Sequence, residues 1–256
     1  MNVVQRELQQ IKNNLWQPIQ LVGVLWLIKI VETVLSIDLG WLGVLPRDLP
    51  TIWHIFTMPF IHGSWEHLMS NSLPLVIFSF IVLQSYRQVA LPIMSIIYVL
   101  SGLGIWLLGR ESYHIGASGV IYGLAFFIFF SGVFRRDVKS IALALLVTLF
   151  YGGMVWGLLP IKEGVSWEGH LFGALAGIWC AYYYRHVNPP PRFAWQDEKP
   201  LEEGSIIEDP FWIPKIEKQE IPIRDANDVD SPPPLRKTTD NILKWNYEFK
   251  PKDKPE

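Results

Sequence analysis

Gly116-Ala117-Ser118-Gly119-Val120-Ile121-Tyr122-Gly123, continued by Leu124-Ala125-Phe126-Phe127-Ile128-Phe129-Phe130, decides the fold. Carried on to Phe134 the run has no charge and, at 19 residues, is long enough to cross the hydrocarbon core of a bilayer, which takes about 20 mostly apolar residues. A serine stands at its head, and an unpaired polar side chain at that depth is costly. Fifty-two residues further on, His170 heads another apolar stretch in the same way. Two polar residues at the edges of membrane-length segments ask for a chemical reason.

Five more segments of this kind surround the first. The spans expected from the sequence are residues 18–37, 67–83, 90–108, 116–134, 141–159 and 169–184, an all-α, six-transmembrane-helix bundle. The first lies far from Met1 and lacks a small-residue cleavage site, so it reads as a retained helix rather than a removed signal peptide. Direction follows from Lys and Arg in the short connections. One set of flanks holds Arg6, Lys12, Arg87, Arg135, Arg136, Lys139 and Arg185, against Arg47, Arg110 and Lys162 on the other. Both termini are therefore expected in the cytoplasm, with the protein in a plasma (inner) membrane. Helices 2, 4 and 6 then start externally and run inward. Their first turns contain His67 and Asn71, Ser118 and Tyr122, and His170, which places the polar residues of three separated segments in one layer near the outer face.

Half of the 256 residues are hydrophobic and mean hydropathy is positive, but the average hides two regions. Up to Val187 the chain is apolar, with 11 Lys+Arg and 9 Asp+Glu; the remaining stretch holds 11 and 15 and is proline-rich. Residues 1–17 place Val4, Leu8, Ile11 and Leu15 on one helical face, the pattern of a short amphipathic helix on the inner surface. Residues 18–187 form the membrane domain. Residues 188–256 lack a sustained apolar period and are expected to be a disordered cytoplasmic tail. Its aromatic islands Phe211-Trp212 and Trp245-Asn246-Tyr247 are the alternative, a binding site for an unknown partner. The connection between the first two spans is too apolar for a freely solvated loop, with Trp41, Trp53, Phe56 and Phe60, and is expected partly within the outer leaflet. No dense basic patch supports nucleic-acid binding. The single cysteine, Cys180, excludes an intramolecular disulfide and reads as helix packing or, secondarily, as a lipidation site.

Peptide-bond hydrolysis needs a nucleophile, a base, donors for the developing oxyanion, and water. Ser118 Oγ is the candidate nucleophile; unpaired N–H groups at a helix start favour negative charge beside it. A neutral His170 imidazole is the candidate base. No Asp lies in an expected span and Glu32 is the only acid there, on helix 1, so the reading is a Ser-His dyad without a carboxylate, with the flat ring of Tyr122 fixing the imidazole. Asn71 or His67 could join the Ser118 N–H as oxyanion donor. Gly119 and Gly123 on one helix, and Gly169, Gly173 and Gly177 on the other, have the four-residue spacing that lets backbones approach, so serine and histidine share a seam. Each feature alone also fits plain packing. His54 and His62 are expected to make structural hydrogen bonds, His114 and His186 to be interfacial, and Lys29 and Glu32 to neutralise each other. A metal site of His62, His67 and His170 lacks a carboxylate at ligand spacing. No metal or organic cofactor is required.

On these residues the chain resembles the rhomboid family of intramembrane serine proteases, over about residues 15–187. The likeness rests on Gly-Ala-Ser-Gly at 116–119 with Tyr122, on Gly169-His170 with Gly173 and Gly177, and on His67-Leu68-Met69-Ser70-Asn71. It implies a six-helix bundle, a serine-type endopeptidase with Ser118 and His170 as its dyad, and Asn71 and His67 at the oxyanion. It further implies Tyr122 stacked on the histidine, His62 ordering the first external loop, and transmembrane segments of other membrane proteins as substrates. Two positions depart from the family pattern: a loop Trp-Arg pair is Trp53-His54 here, and a further loop histidine is Met58. Both bear on the loop rather than on the dyad. The competing readings are a catalytically inactive rhomboid-like protein that binds transmembrane helices, and a small-solute transporter, for which only Lys29 and Glu32 speak.

Overall fold

A computed structural model describes residues 3–161 and 164–187, all within one compact unit, Met1–Glu198. The segment expected to form the tail, and Lys162, lie outside the described residues. Among the described residues six α-helices follow in order: α1 (Val3–Val34), α2 (Trp65–Ser85), α3 (Ala90–Leu108), α4 (Ser118–Arg135), α5 (Val138–Tyr151) and α6 (Trp167–Tyr183). Among the described residues there is no β-strand; Val44 and His114 form one isolated antiparallel bridge. Five helices among the described residues, with α5 counted through its extension to Leu158, are long and apolar enough to cross a membrane.

Local chemistry sets the helix ends. Ser64 caps α2 by accepting the His67 N–H at 3.1 Å, and Asp137 caps α5 by accepting the Ser140 N–H at 2.8 Å. Burial of itself raises the Asp137 carboxyl; hydrogen bonds from the Ser140 backbone and hydroxyl and from Arg135 outweigh it and hold the group below its usual range. Helix α4 is the central one, with Leu124, Phe127 and Ile128 fully buried against Phe78 of α2 and Ile97 of α3. Helix α6 is only 17 residues long and lies against α4 and α3, its first turn buried and Tyr182 and Tyr183 of its last turn exposed.

Several boundaries differ from the sequence reading. The N-terminal amphipathic segment and the first span share one helix: α1 runs unbroken through Pro18. Residues 5–12 are mostly good helix formers. The turn at Pro18 is held from the side, because Asn14 Nδ2 donates to Gln84 Oε1 at 2.8 Å. Helix α5 loses its α-helical hydrogen bonding at Gly152-Gly153 and continues as a 3-10 segment, Gly152–Leu158. Gly116 stands outside α4 with φ +106°, a left-handed conformation that only glycine adopts cheaply. Helix α6 starts two residues earlier than expected and takes in Glu168, buried in its first turn. His114 is not interfacial but almost fully buried, because its backbone pairs with Val44 in both directions, at 2.9 and 3.0 Å. His186 is exposed.

The connection from α1 to α2 folds into short 3-10 turns, Gly40–Leu42, Leu49–Phe56 and Met58–Phe60. Its aromatic side chains divide between faces. Trp41, Trp53 and Phe56 remain exposed, while Ile55 and Met58 pack inward against Ile105 and Phe172.

Candidate active site

The starts of α2, α4 and α6 meet at one end of the bundle around a cavity of about 1050 Å³. Ser118, His170, Tyr122, Asn71 and His67, drawn from all three helices, line it together.

Ser118 is the first residue of α4, so its own N–H and those of the next residues have no intrahelical acceptor. Its Oγ lies 2.9 Å from His170 Nε2. The other ring nitrogen, Nδ1, is 2.8 Å from the Gly157 carbonyl. A carbonyl can only accept, so Nδ1 carries the proton and Nε2 is left to accept the serine hydroxyl. The imidazole is buried and lies flat on the Tyr122 ring, with centroids 4.0 Å apart and planes 4° from parallel. Tyr122 is fixed in turn by its hydroxyl, which donates to the Met154 carbonyl at 2.9 Å. Both ties run to the 3-10 segment after α5. Sequence reasoning named Tyr122 as the element that holds the imidazole and missed Gly157, because a backbone carbonyl leaves no side-chain signature.

On the opposite wall, Asn71 Nδ2 donates to His62 Nε2 at 3.0 Å. His62 and His67 stand edge to face, 4.9 Å apart. Burial holds the His62 imidazole down at about 4, helped by the neighbouring His67 and Lys29 and opposed by the Phe60 backbone. His62 is therefore neutral at physiological pH and can accept the Asn71 amide proton. Gly116 closes this wall. A Cβ there would sit 2.6 Å from His67 Cε1, so the conformation and the contact both demand glycine. Its N–H donates to the Met58 carbonyl at 2.8 Å, which ties the external connection to the serine turn.

A buried polar cluster borders the same cavity between α3, α4 and α6. His114 Nε2 donates to the Arg110 carbonyl at 3.1 Å, leaving Nδ1 to accept from Ser166 Oγ at 2.6 Å. Burial holds this imidazole below its ordinary pKa, against the pull of the Arg110 carbonyl and Glu168. Arg110 Nε lies 3.4 Å from Glu168 Oε1 and its guanidinium also donates to the Val165 carbonyl. Glu168 Oε2 has no hydrogen-bond partner among the described residues. The two loop departures are both accommodated: His54 Nδ1 donates to the Gly43 carbonyl at 2.9 Å with its ring against Trp53, and Met58 is buried.

Residues 50–187 match the family model described as the Rhomboid domain, more than half of the chain. The chain belongs to the rhomboid family. Its rhomboid domain takes in α2 to α6 and the final turns of the preceding connection. Among relatives, an uncharacterized protein of Mycobacterium tuberculosis (strain ATCC 25618 / H37Rv) is 35% identical over 170 residues, 63% of this chain and 71% of that protein. RHOMBOID-like protein 2 of Arabidopsis thaliana is 26% identical over 151 residues, 56% of this chain and 45% of the relative. Family membership together with the apolar helices makes this a multi-pass integral membrane protein.

Proposed function

We propose that this rhomboid-family chain is an intramembrane serine endopeptidase that hydrolyses peptide bonds in or near transmembrane segments of other membrane proteins. The observation that carries the reading is the Ser118 Oγ–His170 Nε2 hydrogen bond of 2.9 Å, with Nδ1 committed to the Gly157 carbonyl. In the proposed reaction Ser118 Oγ attacks the scissile carbonyl carbon as its proton passes to His170 Nε2. The negative charge gathers on the substrate oxygen, facing the Ser118 N–H, Asn71 and His67. Collapse breaks the C–N bond, and Nε2 returns the proton to the leaving amine. Water then attacks the acyl-serine, again giving its proton to Nε2; collapse breaks the bond between the acyl carbon and Ser118 Oγ, Nε2 returns the proton to Oγ, and the second product leaves with a free carboxylate. No metal or organic cofactor takes part.

The same reading makes α6 a sixth crossing, puts both termini in the cytoplasm of a cell bounded by a plasma (inner) membrane, and opens the cavity to the external side. The lysine and arginine bias supports that orientation. Residues 18–187 are then the protease domain, with the part of α1 before Pro18 its cytoplasmic amphipathic lead-in.

Purified protein in lipid with a panel of single-helix polypeptides, and separately with a fluorophosphonate, tests the proposal. Wild type cleaves and labels; Ser118→Ala does neither while keeping its thermal unfolding midpoint. Cleavage by Ser118→Ala at the wild-type rate refutes the mechanism. A wild type that binds helices but neither cleaves nor labels is an inactive rhomboid-like binder instead.

A further inference from the structure

Helix α1 buries a single stripe, Asn14, Pro18, Leu25 and Lys29, and exposes most of its remaining surface. The last member is a cation at a position where leucine or alanine would pack without electrostatic cost. Lys29 is 9% exposed, and an ionisable side chain buried within a membrane helix is expensive unless it is paired and put to use. Its Nζ makes three contacts. Glu32 Oε2 lies 3.0 Å away, the His62 carbonyl 2.9 Å and the Gly63 carbonyl 3.5 Å. Charge neutralisation within α1 would need only the first. The other two reach out of the helix to the peptide that leads into the Ser64 cap of α2.

That peptide carries the His62 ring, and the ring accepts the Asn71 amide. Glu32 is held as well, through its Oε1, by the Leu39 N–H at 3.4 Å, so the ion pair is anchored beyond the end of α1. Trp26 fixes α1 against α2 one turn earlier, its Nε1 donating to Ser72 Oγ at 3.0 Å and its ring lying 5.7 Å from that of Trp65. A continuous path runs from Glu32 through Lys29, the His62 carbonyl and the His62 imidazole to Asn71.

We propose that Lys29 is a positioning residue for the oxyanion wall, acting through the His62 carbonyl and the His62–Asn71 hydrogen bond. The inference rests on the reading of Ser118 and His170 as the reacting pair. A preorganised amide donor is effective only when held in place before charge develops, and complete loss of one such donor costs about 10² to 10³ in kcat. Lys29 holds the donor's partner and not the substrate, so its removal lowers kcat by a smaller factor and leaves KM in place.

A double-mutant cycle in lipid vesicles, with a single-helix polypeptide cleaved by wild type, tests this. Lys29→Met lowers kcat about 10-fold with KM within about two-fold of wild type, and Lys29→Arg, which restores a cation and donor, recovers most of the loss. In an Asn71→Ala background Lys29→Met has no further effect on kcat. Equal losses in both backgrounds, or unchanged kcat in Lys29→Met alone, overturn the proposal. Should Lys29→Met fail to fold, Glu32→Gln enters the same cycle, with an expected loss of about 3-fold that vanishes beside Asn71→Ala. Nitrogen NMR of isotope-labelled histidine in inactive Ser118→Ala protein reads the tether without activity. The His62 Nε2 signal moves on adding Lys29→Met or Glu32→Gln, and an unmoved signal overturns the proposal. A wild type that cleaves nothing sinks the protease reading, and the NMR arm still decides whether Lys29 holds His62.

Discussion

Gly173→Ala is the substitution that most directly tests whether the seam between α4 and α6 sets the chemistry. Gly173 lies three residues after His170 and faces Gly119, the neighbour of Ser118. A Cβ at 173 would stand 2.8 Å from the Gly119 carbonyl carbon and 3.2 Å from its Cα, with the Gly119 carbonyl oxygen nearer still. Carbon–carbon contacts relax to about 3.5–4.0 Å, so the two backbones must part by about 1 Å. Neither obstacle is a flexible side-chain tip; both are helical backbone, and the movement is transmitted to the Ser118–His170 pair within one turn. Their 2.9 Å separation then opens to about 3.9 Å, beyond hydrogen-bonding distance. A displacement of that size costs about 10²-fold in rate, and overpacking of a tight seam costs about 1–3 kcal/mol in stability. The assay pairs kcat on a single-helix substrate in lipid with the rate of fluorophosphonate labelling and a thermal unfolding midpoint. Gly23→Ala is the control, since nothing lies within 4 Å of a Cβ there, and it leaves all three readouts at or slightly above wild type. A folded Gly173→Ala protein with kcat within about two-fold of wild type would refute the argument that glycine contact holds the pair together.

Two further outcomes follow from the walls of the site. Tyr122→Phe keeps the ring on His170 and loses only the bond to the Met154 carbonyl, so kcat falls by less than about 10-fold, whereas Tyr122→Ala removes the stacked face and costs about 10² or more; equal kcat values for the two would remove the ring from the mechanism. His62 is held at about 4 in the folded protein against 6.5 when unfolded. Between those values the unfolded chain binds the extra proton, so the stabilisation is complete above pH 6.5 and is lost as pH falls towards 4, on the order of 3 kcal/mol in all. Unfolding midpoints measured across that window should fall for wild type and fall less steeply in His62→Asn, where His114 still contributes; an equal slope in both would assign the dependence elsewhere.

The residues legible in the sequence share one property: each is a side chain whose polarity is out of place in an apolar stretch. Ser118, His170, Asn71 and Tyr122 could be grouped because charge bias sets a common depth for three helix starts, and the glycine spacing of α4 and α6 brought two of those starts together. What stayed hidden lay in backbone or in loops. The Gly157 carbonyl has no residue-type signature, and the switch to 3-10 geometry that presents it is marked only by Gly152-Gly153. His114 sits in a short connection of the kind that usually faces solvent, and its burial depends on pairing with Val44, seventy residues earlier. Glu168 was passed over because hydropathy starts the last span at Gly169, while the helix itself begins where its backbone bonds close, at Trp167. The Asn14 bond to Gln84 of α2, beside Pro18, is likewise a tertiary contact with no signature in the local pattern.

A carbonyl in place of a carboxylate behind His170 has a physical logic in this setting. Orienting the ring needs one acceptor at Nδ1, and an ionised carboxylate there would have to be desolvated at membrane depth, at a cost that only a paired cation offsets. The Gly157 carbonyl supplies the acceptor with no net charge, and Tyr122 supplies the second constraint, against rotation of the ring out of plane. Such an arrangement fixes the tautomer as firmly as an acid would but stabilises the transient imidazolium less. Buried carboxylates elsewhere follow the same rule: Glu168, two residues before His170, is tied to Arg110, and Glu32 to Lys29. The buried charges among the described residues, Lys29 and Glu168, are thus each paired, and on the proposed mechanism the unpaired charges are the transient ones, the oxyanion and the imidazolium, which arise together and neutralise each other across the site.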